Sequence, residues 1–277
     1  MEERLQKILA QWGIASRRHA EQMILEGQVR VNGSLAVLGQ KANPKTDLIK
    51  VNGQRVGGSG NRDASGDRTS PIVRPTLIYL LLHKPLGVVS TCADPQGRPT
   101  VLGLLPPQYH GVGLHPVGRL DIQTTGALLL TNDGDLTFHL THPRHHITKT
   151  YTVWVQGNPS PSVLNQWRKG ILLEGRQTRP AQVEILAPFN RQQNATQLQI
   201  ILQEGRKRQI RLVAKALGHR VLQLHRTHIG PIALQDIDEC ILNPGQYRSL
   251  TSSEIEALRP TIRIKDRASP LKEPTHE

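Results

Sequence analysis

HPVGRLDIQTTGALLLTNDGDLTFHLTHP, residues 115–143, decides how the rest of the chain reads. A polar loop runs into an apolar stretch, Ala127 to Leu130. That stretch stops at an Asn132-Asp133-Gly134 turn, and a short helix follows. Four apolar residues in a row between turn signals read as a buried strand. Just before it stand Arg119 and Asp121, a cation and an acid two residues apart. Loops carried on rigid strands are where catalytic groups tend to sit. The same two residues have a plainer reading, in which Asp121 caps a turn and Arg119 is solvated. Asp133 and Asp135, within NDGD, read as turn and helix-cap residues.

Outward from this stretch, strands dominate. LIYLLLHKP (77–85) is an apolar strand stopped by Pro85, TKTYTVWVQG (148–157) alternates as a strand, and TQLQIILQEG (196–205) is another. HRVLQLHRTHIGPIAL (219–234) reads as a strand pair. Between them, Ser160-Pro161 starts a short helix, and RKRQIRLVAKALGH (206–219) reads as a helix ended by Gly218. The fold class is therefore α+β with a mostly antiparallel sheet.

Residues 1–56 read as a separate small α+β module. Leu5, Ile8, Leu9 and Trp12 fall on one face of a helix that ends near Gly13. Ser16 can cap a second helix that buries Ala20, Met23 and Ile24 and stops at Gly27. Asn32-Gly33 and Asn52-Gly53 are two hairpin signals. Residues 57–75 hold Gly, Ser, Asp and Arg with almost nothing apolar, and read as a flexible linker. Residues 76–258 form the larger domain, and 259–277 a charged, Pro-containing tail expected to be disordered.

Charge indicates the partner. The chain has 277 residues, a formal net charge of +13 and a pI near 10.3, which points to a polyanion, nucleic acid first. The first module carries nine Lys or Arg against five acids. Arg17 and Arg18 occupy the first turn of the second helix, where cations oppose the helix dipole unless an anion offsets them. Further on, no carboxylate lies between Asp135 and Glu174, nor between Glu204 and Asp236. Those stretches hold Arg144, Lys149, Arg168 and Lys169, then Arg206, Lys207, Arg208, Arg211, Lys215, Arg220 and Arg226. One sign of charge over strands and a helix suits a surface that tracks phosphates. The candidate RNA contacts are Arg4, Lys7, Arg17, Arg18 and Arg30 in the first module, with Lys84, Lys149, Arg206, Lys207 and Arg208 in the second.

Other classes are excluded by what the chain lacks. Aromatic residues make up 3%, too few for a platform that spends several rings on stacked bases. Cys92 and Cys240 stand far apart in no CxxC spacing, which argues against a disulfide framework or structural zinc. His139, His142, His145 and His146 lack a neighbouring carboxylate or thiolate, and Pro143 breaks the helix that would align them, so no metal is expected. The N-terminus is a charged amphipathic stretch rather than a signal peptide, and no apolar run reaches membrane-span length. The expected setting is the cytoplasm and the expected state a monomer.

At these motifs the sequence resembles the RsuA/RluB/RluE/RluF family of pseudouridine synthases. HPVGRLDIQTTGALLLTNDG is similar to that family's catalytic motif and LLHKPLGVVST to its first motif. KTYTVWVQG is similar to its second, and EGRKRQIRLVAKALGHRVLQLHRTHIGPI to its third. Residues 4–56 resemble an S4 RNA-binding domain. The resemblance implies an isomerase that turns a specific uridine of ribosomal RNA into pseudouridine, 23S before 16S. It implies Asp121 as the essential aspartate, Tyr151 as the ring that stacks on the flipped base, and Arg211 as the basic partner of the aspartate. Arg119 would be associated with the space the nucleotide vacates. Arg208 stands where many relatives carry His. The reaction oxidises nothing and imports no group, so no cofactor is required. A second reading of the same charge and S4-like module is a non-catalytic RNA-binding or ribosome-assembly protein. The set Asp121, Tyr151 and Arg211 separates the two, because a pure binder has no physical need to keep it together.

Overall fold

The computed structural model describes residues 2–56, 72, 74–235 and 242–259. The first part of the chain runs β1 (Glu3–Arg4), α1 (Leu5–Gln11), α2 (Arg17–Leu25), β2 (Val29–Val31), β3 (Ser34–Leu35), β4 (Lys41–Ala42), β5 (Ile49–Val51) and β6 (Gln54–Val56). Ser16 Oγ accepts the His19 N–H and so caps α2. Asn32 and Asn52 have positive φ, as do Gly33 and Gly53, the backbone that a tight Asn-Gly hairpin demands. Strands β3, β2, β5 and β6 form a four-stranded sheet in that order. Leu5, Ile8 and Leu9 of α1 and Ala20, Met23 and Ile24 of α2 pack with Val29, Ile49 and Val51 in one core.

The second part runs β7 (Tyr79–Lys84), β8 (His115–Pro116), β9 (Thr125–Thr131), α3 (Gly134–Thr141), β10 (Lys149–Gln156), α4 (Pro161–Lys169), β11 (Leu172–Leu173) and β12 (Arg176–Gln177). It continues with β13 (Gln182–Asn190), β14 (Ala195–Leu202), α5 (Gln209–Ala216), β15 (Val221–Ile229), β16 (Ile232–Ala233), β17 (Tyr247–Ser249) and α6 (Ser252–Leu258). Caps again set the helix starts: Asp133 accepts from the N–H groups of Asp135 and Leu136, and Ser160 from that of Val163.

One sheet dominates, in the order β13-β14-β10-β15-β9-β7-β17, with β16 on β15 and β8 on β9. Among the described residues every strand pairing in it is antiparallel except β15 on β9, which is parallel through His225 opposite Thr125 and Arg226 opposite Gly126. The fold is thus α+β with a mostly antiparallel sheet. Both faces of the β7–β9 pair are covered. Leu81, Ala127 and Leu129 face a core with α3 and α6, while Leu80, Leu82, Leu128 and Leu130 face another with Val101, Leu105 and Leu120. That is why β9 reads as an unbroken apolar run. A further core lies where Leu164 and Trp167 of α4 and Ile210, Val213 and Ala214 of α5 meet β10 and β14.

One expectation changes in place. The helix anticipated from residue 206 begins at Gln209, because Arg208 adopts a left-handed conformation (φ 53°) and interrupts the helical path. Most of the proposed linker, residues 57–71 and 73, and the tail from 260 onward lie outside the described residues. Ile72 makes a parallel bridge to Val56.

Candidate active site

The loop from Leu120 to Thr124 precedes β9 and is held residue by residue by distant parts of the chain. Ser90 Oγ donates to the Leu120 carbonyl (3.0 Å) and accepts the Leu120 N–H (3.1 Å). The Gly87 N–H donates to the Ile122 carbonyl (3.0 Å). Arg211 Nη2 donates to the Gln123 carbonyl (2.7 Å), and Lys84 Nζ to the carbonyls of Thr124 and Pro85 (both 2.9 Å). Within the loop, the Thr124 N–H closes a turn onto the Asp121 carbonyl (2.9 Å). These contacts fix the backbone that carries the Asp121 carboxylate.

That carboxylate opens into a cavity of about 340 Å³, a volume in the range of small-molecule clefts. Tyr151 of β10, the residue two after Lys149, lines the same cavity. So does Arg226 of β15, which lies directly across from Tyr151 in the β10–β15 pairing. Six cationic side chains and two carboxylates, Asp121 and Glu204, contribute to the walls. Burial pushes the Lys149 ammonium down to about 8, with the Arg226 charge adding to the fall. Burial also pushes the Lys84 ammonium down to about 8, partly offset by the charge of Asp121. Arg211 is lowered by burial too, opposed by Asp121 and reinforced by Arg208.

Three sequence expectations need correction. Arg211 does not make the ion pair with Asp121. The guanidinium within ion-pair range is that of Arg208, Nε to Oδ2 at 4.0 Å, while Arg211 gives its Nη2 to the Gln123 carbonyl, keeps a buried Nε without a partner among the described residues, and feels the Asp121 charge from farther off. Arg208 is also the residue at which the chain turns left-handed just before α5. Lys84 is not a surface contact for phosphate, because it has 0% exposure and points into the loop beneath Asp121. Lys7 and Arg206 are committed to the protein itself. Lys7 pairs with Glu3 (2.6 Å) and Asp135 (2.8 Å), and Arg206 donates to the carbonyls of Arg176 and Gln177 and lies 3.4 Å from Glu204. Arg4, Arg17, Arg18 and Arg30 are exposed on the first module, and Arg119, Lys207 and Arg208 at the cavity. Lys149 is half-buried inside it.

Sequence reasoning missed Ser90, Gly87 and Arg226. Ser90 and Gly87 act on a loop some thirty residues away; they lie inside LLHKPLGVVST, the stretch similar to the family's first motif, but that likeness did not say what they hold. Arg226 had a signal in the second acid-free stretch, but only the strand pairing sets it beside Tyr151. Three of the four histidines near residue 142 meet edge to ring, with the rings of His139 and His145 4.5 Å apart and tilted and those of His142 and His145 6.0 Å apart, while His146 lies against Arg179 and Arg144 stands over the Phe138 ring at 5.0 Å. Among the described residues no group of three or more His, Cys, Asp or Glu is placed to hold a metal ion. Among them, too, no helix is long and apolar enough to cross a membrane.

This geometry agrees with what the chain is similar to. Residues 78–216 match the RNA pseudouridylate synthase family and residues 3–44 the S4 domain. A Bacillus subtilis protein named ribosomal large subunit pseudouridine synthase B is 39% identical over 93% of this chain and 96% of its own length. A Mycobacterium leprae protein described as an RNA pseudouridine synthase is 38% identical over 92% of this chain and 91% of its own. A solved structure titled pseudouridylate synthase superimposes with a TM-score of 0.61 at 31% identity, covering 92% of this chain and 99% of that one. With its cationic cavity built around the matched segment, the chain belongs to the RNA pseudouridylate synthase family, enzymes that isomerise uridine in RNA.

Proposed function

We propose that the chain isomerises one uridine of ribosomal RNA, in the large subunit (23S), acting on a nucleotide flipped out of its stack, with Asp121 as the essential carboxylate. The observation that carries this reading is the meeting of Asp121 and Tyr151 in one cation-lined cavity. Large-subunit RNA is favoured because curated relatives from Bacillus subtilis and Pseudomonas aeruginosa bear that name at 39% and 36% identity.

The chemistry follows from these groups. The N1–C1′ bond breaks and its electron pair leaves with the uracil. The ring turns, C5 bonds to C1′, the C5 proton is released, and N1 regains a proton. The product is an isomer of the substrate and no redox partner enters. Extruding the nucleotide costs a few kcal/mol, least in a loop. Tyr151 offers a flat face on which the base can stack. The Asp121 carboxylate, beside the sugar, serves as nucleophile at C1′ or as base toward a sugar proton. Arg119, Lys207 and Arg208 at the cavity suit the phosphates on either side of the target. We propose a division of labour in which residues 1–56 grip RNA through Arg4, Arg17, Arg18 and Arg30 and residues 76–258 carry out the reaction.

The test is a map of pseudouridines across ribosomal RNA from cells with and without this protein, repeated with Asp121→Asn. One 23S position should lose its pseudouridine in both the deletion and the Asp121→Asn strain. Purified Asp121→Asn should still bind the RNA. Conversion by that variant at near the wild-type rate would remove Asp121 from the mechanism, and a missing 16S site would move the target to the small subunit.

A further inference from the structure

Arg226 is 4% exposed and lies on the wall of the cavity. Its Nε donates to the Ala127 carbonyl at 2.7 Å, which fixes the plane of the guanidinium. Its Nη2 is buried and has no hydrogen-bond partner among the described residues. A buried donor left unpaired is costly, and a guanidinium can only donate, so the group that completes this site must present an acceptor. Asp121, the carboxylate of the neighbouring loop, does not fill this role: its ion-pair contact is to Arg208, and Nη2 of Arg226 has no partner among the described residues.

The strand register says which acceptor. Arg226 stands opposite Tyr151 across the β10–β15 pair, so both side chains leave the same face of the sheet. A base lying on the Tyr151 ring therefore turns an edge toward Arg226. On a uracil that edge carries O2 or O4. A phosphate would have to stay at the mouth, because the nucleic-acid strand continues on both sides of it, and the exposed cations Lys207 and Arg208 already stand there. The depth of Nη2 thus favours the base over the backbone.

We propose that Arg226 is a substrate-binding residue whose free Nη2 donates to a ring carbonyl of the target uracil. When the N1–C1′ bond breaks, its electron pair passes into the uracil ring and onto O2 and O4. A fixed cationic donor at one of those oxygens binds this charge more tightly than it binds the neutral base. Lys149, half-buried in the same cavity, adds positive potential there. Gly126 makes the placement possible: a Cβ on it would lie 2.1 Å from the Arg226 carbonyl, so only glycine lets β15 come this close to β9. This inference rests on the reading of the cavity given under Proposed function.

The experiment is single-turnover conversion of RNA that carries uridine, 2-thiouridine or 4-thiouridine at the mapped target. The full chain, Arg226→Gln, Arg226→Lys and Asp121→Asn are compared. Sulfur is a weaker acceptor than a carbonyl oxygen. The wild type should convert one of the two thio substrates at least tenfold more slowly than uridine. The same replacement should slow Arg226→Gln less than threefold, while that variant binds RNA within threefold of wild type. Losses from sulfur and from Arg226→Gln that simply multiply would overturn the proposal, as would a wild type indifferent to both sulfurs. A loss of RNA affinity with a flatter salt dependence, and no sulfur effect, would place the guanidinium on a phosphate instead. Should Arg226→Gln fail to fold, Arg226→Lys and the wild-type sulfur comparison still decide the matter. Asp121→Asn separates the two levels: an active Asp121→Asn sinks the whole site, whereas an inert one with multiplying Arg226 losses sinks only this assignment.

Discussion

Lys84 carries a charge to a position with no solvent exposure, and it does so to hold two backbone carbonyls beneath Asp121. Its ammonium, pushed down to about 8, makes stability depend on pH. Between about 8 and the unfolded value of 10.5, the folded chain has released this proton and the unfolded chain still holds it. The unfolded state binds more protons there, so stability rises with pH through that window. Wild-type Tm minus that of Lys84→Met should therefore grow between pH 7 and pH 10. A flat difference would show that Lys84 does not titrate as its burial requires. The two arginines beside Asp121 make a second contrast. The Arg208 pair is long at 4.0 Å and its side chains are 59% and 36% exposed, the class of contact worth about 0–1 kcal/mol. Arg208→Gln should slow conversion no more than roughly fivefold. Arg211→Gln loses the Gln123 tether and loosens the loop itself, so a larger fall, roughly tenfold or more, is expected. Equal losses from the two would mean that loop anchoring is not what Arg211 contributes.

At the scale of elements, the join between β9 and β15 is, among the described residues, the one parallel strand pairing of the large sheet, and Gly126 sits in it. Gly126 has φ +110°, a conformation that L side chains rarely adopt, and an added Cβ would meet the Arg226 backbone at 2.1 Å. Gly126→Ala should lower stability by about 3 kcal/mol or more, a Tm fall of roughly 6–12 °C. Gly134, at the first turn of α3, has open space around its Cα and no such φ. Gly134→Ala should change stability by less than about 1 kcal/mol. Similar melting temperatures for the two variants would show that the close approach of the strands is not needed. The pairing matters for function because it sets Arg226 against Tyr151 on one side and the Asp121 loop on the other.

For the molecule as a whole, the core of residues 5–56 and the cores of the large sheet are built from separate sets of side chains. The division should show in binding. Deleting residues 1–56 should weaken RNA affinity and reduce the salt dependence by about 0.7–0.9 for each phosphate contact removed. The remaining chain should still melt cooperatively. Unchanged affinity and slope would show that the exposed arginines of the first module do not face RNA. Lys7 would contribute little to the change, since Glu3 and Asp135 already hold it.

The amino-acid sequence alone determined the local parts of this protein. Helix caps at Ser16, Asp133 and Ser160, the two Asn-Gly turns and the apolar run of β9 are set by neighbours a few residues away, and short-range signals survive in a linear reading. Through its resemblance to the family, the sequence also pointed to Asp121 and Tyr151 as residues to bring together. Tertiary structure alone decided which cation stands over the acid, which lysine is buried beneath it, and which arginine faces the stacking ring. Each of those outcomes depends on strands that pair across tens of residues, from β7 with β9 to β10 with β15. A shift of one residue in such a pairing turns every side chain to the opposite face. Register belongs to the assembled sheet, and no local stretch of the chain carries it.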